Sequence, residues 1–153
     1  MPTIEKDLRT YLSNLAGGNE LYRVSRQVDP KTEAPALIDA AIRKGKAVLF
    51  ERVADSAIPL IGNSIGSRTC LERSVGCDER GITSWFAERS SGSISPILIP
   101  RAPVHEVMDD RADLTKFPVL TAHEADAGPY ITGGICVQRD PETGKQNVGY
   151  YSL

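Results

Sequence analysis

The sequence predicts an α+β protein: an N-terminal mixed α/β unit followed by the first strands of an antiparallel β domain. Three observations carry that prediction. Residues 21–53 pass from strand to helix to strand, the pattern of a β-α-β unit. At residues 112–120 the pattern changes from mixed helix and strand to strand and turn. Residues 126–153 then read as one β-hairpin. A domain boundary is expected there, dividing the chain into residues 1–115 and 116–153.

The hairpin is the most informative stretch. An apolar run over residues 130–137 meets Asp140-Pro141-Glu142-Thr143-Gly144-Lys145, a loop made of turn formers. A second run follows over residues 147–153. Pro141 presets φ near −65°, and Gly144 can take the left-handed conformation that a longer hairpin loop needs. A lone two-stranded hairpin is marginal in water, so these strands need partners. The second strand stops in mid-pattern, which reads as a domain cut short.

Upstream, residues 3–15 predict a helix. Thr3 is its expected cap, Ile4, Leu8, Tyr11, Leu12 and Leu15 form its apolar face, and the glycines at 17–18 supply a left-handed stop. Residues 21–28 alternate as a strand with Arg23 and Arg26 at its surface. Asp29-Pro30 turns into a second helix, with Pro35 in the first turn and Leu37, Ile38, Ala41 and Ile42 buried. Residues 47–53 form a short apolar run bounded by turn signals, a buried strand. Residues 58–61 are extended, and Pro59 assigns them to an edge or a strand end. Helices are expected from about Cys70 to Val75 and over residues 79–89, the latter with Ile82, Trp85 and Phe86 turned to the core. Residues 90–93 form a loop, residues 96–100 an extended segment fenced by prolines, and residues 104–107 a further strand.

Bulk properties narrow the function. At 153 residues, with 41% apolar and 25% charged residues, the chain has the composition of an ordinary soluble protein large enough for a core. A net charge of −2 gives no global attraction to nucleic acid or anionic membranes. No segment approaches the roughly 18 apolar residues of a membrane span. Cys70, Cys77 and Cys136 make no even-numbered disulfide framework, and a cytoplasmic location is the simplest reading. Cys70 and Cys77 do not have zinc-ligand spacing and read as structural thiols.

Two weaker signals lie upstream of the hairpin. Gly62-Asn63-Ser64-Ile65-Gly66-Ser67-Arg68 is a glycine-containing loop before a helix, a place where backbone N–H groups can cradle phosphate. Its spacing matches neither the dinucleotide fingerprint nor the P-loop, which favours a plain strand-to-helix connection. His105 beside Glu106 has the residue types of a base, although a lone strand histidine is more often structural.

Four ordered motifs give the chain a resemblance. They are Asp113-Leu114-Thr115-Lys116-Phe117-Pro118-Val119-Leu120, Asp126-Ala127-Gly128-Pro129-Tyr130-Ile131-Thr132, Asp140-Pro141-Glu142-Thr143-Gly144 and Asn147-Val148-Gly149-Tyr150-Tyr151. In letters, order and spacing they resemble the UbiD family of decarboxylases. Leu8-Arg9, Val28-Asp29-Pro30, Leu49-Phe50-Glu51 and the 62–68 loop agree with it upstream.

The resemblance implies reversible decarboxylation of aromatic or α,β-unsaturated carboxylic acids. It implies prenylated FMN as cofactor, with Mn2+ and K+. It also implies a fold in which the N-terminal α/β domain precedes a split β-barrel like that of flavin reductases, with a C-terminal oligomerisation domain. The present chain then corresponds to the first domain and the first barrel strands. A missing C-terminal part or companion subunit and a homo-oligomer are the expected partners.

Residue by residue, Asn147 matches the family's metal-binding asparagine, and Gly149, Tyr150 and Tyr151 match the cofactor-contacting positions after it. Thr132 would line the pocket from the first strand. Ser152 stands where the family has its catalytic arginine. Serine is neutral and makes no bidentate carboxylate contact. Two further readings therefore stay open: a non-catalytic binding or assembly module derived from the family, and a flavin-binding barrel with redox function.

Overall fold

The computed structural model describes residues 7–92, 94–95, 97–111 and 113–152. The first helix, α1 (Leu8–Gly17), opens on Asp7, whose carboxylate accepts the Thr10 backbone N–H at 2.9 Å. Thr3 and Ile4 lie outside the described residues, and Asp7 is the cap that the structure shows. The left-handed residue after α1 is Asn19, with φ of 60°, rather than either glycine. Asparagine tolerates that region through its short polar side chain.

Strand β1 (Leu21–Val28), helix α2 (Glu33–Ile42) and strand β2 (Ala47–Val53) make the expected β-α-β unit, with β1 and β2 parallel. Strand β3 (Leu60–Gly62) pairs antiparallel with β2 and begins directly after Pro59. The order β1-β2-β3 puts β2 in the centre and β3 on an edge, where a proline costs no ladder bond. Arg23 and Arg26 are exposed and pair with Glu51 and Glu33, each at 2.8 Å. Exposed pairs of this kind add little stability.

Side chains alternate along β2, so the sheet feeds two cores. Val48 and Phe50 join Val28, Ala34, Ala41 and Val53 beneath α2, with Leu120 packed against them from the later chain. Ala47 joins Leu15, Leu21 and Cys70 on the opposite side, under α1 and α3 (Arg68–Val75). Pro35 sits in the first turn of α2 as expected. Ile42 does not belong to the core: it is 50% exposed, and Ala34 is buried instead. The buried stripe of α2 thus runs through 34, 37–38 and 41, and Ile42 falls past its edge.

Helix α4 (Glu79–Ser90) is the largest departure. None of its residues is buried, and Phe86 is 66% exposed. Helical periodicity identifies an apolar face but does not say what covers it. Residues 104–107 are likewise not a strand. Pro103–His105 form a single 3-10 turn with proline at its start, because Pro103 supplies a helical φ and no donor.

The 62–68 loop is a structural connection. Ser67 caps α3 by accepting the Cys70 N–H at 3.1 Å, and Arg68 is paired with Glu79. The Asn63 amide donates to the Lys46 carbonyl at 2.9 Å. The Tyr11 hydroxyl reaches the carbonyls of Ser64 at 2.6 Å and Cys70 at 3.0 Å. The donors that a phosphate would need are partly used, and the loop is tied to α1.

Burial, chiefly, pushes the Tyr11 phenol up to about 12 from the ordinary value of 10.0. Its folded pKa lies above its unfolded one, so its contribution is complete below pH 10 and is lost as pH rises towards 12. Tyr11→Phe is therefore expected to cost stability at neutral pH yet to flatten the alkaline fall of Tm between those values. Melting curves of both proteins from pH 8 upward check it; parallel alkaline slopes would contradict it.

Candidate functional site

Residues 113–130 bring the chain from the α/β unit to the hairpin. Asp113 caps the 3-10 turn Leu114–Lys116 by accepting the Thr115 N–H at 3.0 Å. Ser56 then donates to the Lys116 carbonyl at 2.9 Å, and Leu120 packs on the core beneath α2. The Tyr130 N–H bonds the Leu120 carbonyl at 2.9 Å in an antiparallel bridge. Asp126 closes the intervening turn, its carboxylate accepting the His123 N–H at 2.9 Å. The motif residues Asp113, Leu120, Asp126 and Tyr130 thus root the hairpin in the first unit.

The hairpin itself is β4 (Gly134–Arg139) and β5 (Gln146–Tyr151), antiparallel. Its first strand starts at Gly134, four residues later than the apolar run suggested, and Thr132 lies in the exposed turn before it. The loop is built as its composition requires. The Asp140 carboxylate accepts the N–H groups of Glu142 at 2.8 Å and Thr143 at 3.0 Å. Those bonds, Thr143's first, hold the Asp140 carboxyl below the usual carboxylate range. Gly144 is left-handed, φ 69°, and Asp140 bonds back to Lys145.

Register decides which side chains meet. The Cα pairs Gln138↔Asn147, Cys136↔Gly149 and Gly134↔Tyr151 share one face, since strand side chains alternate. Ile135↔Tyr150 and Val137↔Val148 share the other. Asn147, Gly149 and Tyr151 therefore stand together on a face that is polar and small in the middle. Tyr150 stands on the opposite, apolar face and is 70% exposed. Ser152 follows the last residue of β5. Thr132 is not on either strand.

Gly149 is needed for a close approach. A Cβ at that position would run into the Tyr151 ring, which lies back along β5 over it. Two residues on the Asn147 face escaped the sequence reading, Gln138 and Cys136. Counting alternation back across the loop finds them only once the Arg139↔Gln146 closing pair is known.

The other candidates do not assemble. His105 is exposed in its turn. Cys70 is buried, and all three cysteines are free thiols. Among the described residues no three His, Cys, Asp or Glu side chains gather as a metal set, and no helix is long and apolar enough to cross a membrane.

An α/β unit rooted to a hairpin that carries Asn147 and Gly149 on one face has relatives. The family model described as the 3-octaprenyl-4-hydroxybenzoate carboxy-lyase N-terminal domain matches residues 12–89, and that of the Rift-related domain matches residues 98–153. The chain belongs to the UbiD family. An uncharacterized protein of Archaeoglobus fulgidus is 32% identical, over 97% of this chain and 35% of its own length.

Among solved structures, the UbiD-class enzyme HmfF from Pelotomaculum thermopropionicum in complex with FMN superposes with a TM-score of 0.85 and 34% identity, covering 95% of this chain and 33% of its own. An evolved dimeric form of that enzyme with prenylated FMN gives 0.87 at 34% identity, covering 97% and 36%. The vanillic acid decarboxylase of Sedimentibacter hydroxybenzoicus, in its closed form, gives 0.88 at 27% identity, covering 98% and 35%. The chain spans about a third of the length of the relatives it matches.

Proposed function

We propose that the chain forms the N-terminal part or subunit of a UbiD-type carboxy-lyase that decarboxylates an aromatic or α,β-unsaturated carboxylic acid through prenylated FMN, with Mn2+ and K+. In this reading residues 1–115 are the α/β domain and residues 116–153 open the cofactor-binding barrel. The observation that carries it is the shared face of Asn147, Gly149 and Tyr151, on a chain that superposes on enzymes in complex with FMN and prenylated FMN.

The donor chemistry fits. An amide oxygen is a suitable hard ligand for Mn2+. Asn147 is exposed on its strand, where it would be one ligand of a set completed from beyond the described residues. The backbone of residues 149–151 would lie against the flavin nucleotide. When bound, prenylated FMN supplies the electron sink that loss of CO2 from an sp2 carbon requires; this chain's residues bind and orient it.

Ser152 favours a second reading, a non-catalytic binding or assembly module. Nothing cationic stands at 152 to hold a substrate carboxylate. Ser152→Arg is expected to tighten binding of an unreactive aromatic carboxylate by about tenfold, since charge-assisted bidentate contacts are the strong ones. Calorimetry on the cofactor-loaded protein checks it; unchanged affinity would mean that position 152 does not face the substrate. The two readings separate when the chain is joined to its downstream part or companion subunit and reconstituted with prenylated FMN, Mn2+ and K+. Release of CO2 from a panel of unsaturated acids supports the lyase, and a loaded but inert protein supports the module.

A further inference from the structure

Between α4 and the 3-10 turn at Leu114 the chain puts apolar side chains into water. Ile97, Leu98, Ile99, Val104, Val107 and Met108 are 59–93% exposed. Side chains of that size and number present on the order of 800 Å2, about what one partner buries in a specific interface. Their backbone is unengaged too. Among the described residues no hydrogen bond is made by the main chain of Ile97, Leu98, Ile99, Val107 or Met108. The chain does not cover this segment itself. Phe86 on the preceding helix is 66% exposed, and Ile135, Val137, Val148 and Tyr150 on the hairpin are 58–70% exposed.

Two comparisons point to what does cover it. The family model that matches the hairpin begins at residue 98, while the N-terminal one ends at residue 89, so the segment goes with the hairpin. Superposition on the closed vanillic acid decarboxylase takes in 98% of this chain, this segment with it, but 35% of the other. Residues 97–108 therefore follow the course they have in a chain about three times as long. Burying those side chains also buries their backbone, whose N–H and C=O groups must then be paired.

We propose that residues 97–108 are a docking segment for the downstream part of a UbiD-type polypeptide, which covers their side chains and pairs their backbone. This surface rests on the reading of the preceding subsection, in which the chain is the N-terminal part or subunit of a larger enzyme, and names where the remainder binds. It also carries the hairpin's share of the chain upstream of residue 116.

The test is amide hydrogen exchange of the full chain, alone and co-expressed with the downstream part or companion subunit, for wild type and Leu98→Glu. Alone, the amides of residues 97–108 are expected to exchange without protection; in the complex they are expected to slow by about tenfold or more. Leu98→Glu is expected to weaken the complex by about 30-fold or more, the scale of a buried interface anchor. Its Tm alone is expected to match wild type, since Leu98 is 93% exposed and touches no core. Protection in the chain alone overturns the proposal: where it rises with protein concentration a second copy covers the segment, and where it does not the chain covers it in cis. A complex that leaves residues 97–108 unprotected, or that Leu98→Glu forms as well as wild type, overturns the docking segment and leaves the enzyme reading intact. A wild-type chain that forms no complex overturns that reading as well.

Discussion

Phe50→Ala is expected to lower the unfolding free energy of the α/β unit by about 3–5 kcal/mol, the usual cost of emptying an aromatic site in a packed core. Phe50 is fully buried at the centre of the middle strand, paired with Val24 on one side and Leu60 on the other. The cavity would open between the sheet and α2, where Val28, Ala34 and Ala41 are too short to collapse into it. Against a typical total of about 5–15 kcal/mol, a loss of that size leaves a small domain marginal. Urea denaturation followed by circular dichroism reads it directly. A loss below about 1 kcal/mol would mean that the site relaxes and that Phe50 does not anchor this core. Because Leu120 packs on the same cluster, the substitution should also loosen the root of the hairpin.

Asn147→Ala is expected to reduce Mn2+-dependent binding of FMN by about 100-fold or more, because even outer-shell partners of metal ligands cost 10–100-fold when removed. The substitution takes away the amide oxygen without disturbing the ladder, since Asn147 is exposed and its strand pairing with Gln138 is made by backbone. Asn147→Asp keeps an oxygen at the same reach and should retain most of the metal dependence. The contrast between the two is the informative part. Titrations with and without Mn2+ measure it. Equal affinity for all three proteins would remove Asn147 from the site and reduce it to a residue that ends a turn.

Much of the α/β unit is legible in the sequence because burial there is periodic. Strands β1 and β2 have the bounds that alternation and turn residues assign, and Pro59 marks the edge strand. What was not legible depends on neighbours. Ile82, Trp85 and Phe86 make an apolar stripe on α4, yet nothing in a one-dimensional pattern says whether another element lies against it. Val104 and Val107 flank a polar pair as a strand would, but Pro103 starts a 3-10 turn before any pairing forms.

The candidate site divides in the same way. Asn147 stands out through its motif, and Gly144 through its φ. That Tyr150 faces away from Asn147 while Tyr151 faces with it follows from register, which a six-residue loop sets and the sequence does not state. Thr132 stands ahead of the first strand rather than on it for a related reason: the apolar run begins at Tyr130, whereas pairing begins only at Gly134. A turn at Thr132 and Gly133 interrupts the extended chain between the Tyr130 bridge and the ladder.

The central claim is that this chain serves a decarboxylase. It is tested most directly by exchange of labelled CO2 into an unsaturated carboxylic acid, which requires the reversible chemical step but no net turnover. The chain, inactive by itself in this reading, is co-expressed with the downstream part or companion subunit and loaded with prenylated FMN, Mn2+ and K+, and label in the recovered acids is followed by mass spectrometry across an aromatic and α,β-unsaturated panel. Incorporation into at least one acid, abolished in Asn147→Ala, is the predicted result. A protein that takes up cofactor and metal yet incorporates no label from any acid would contradict the claim.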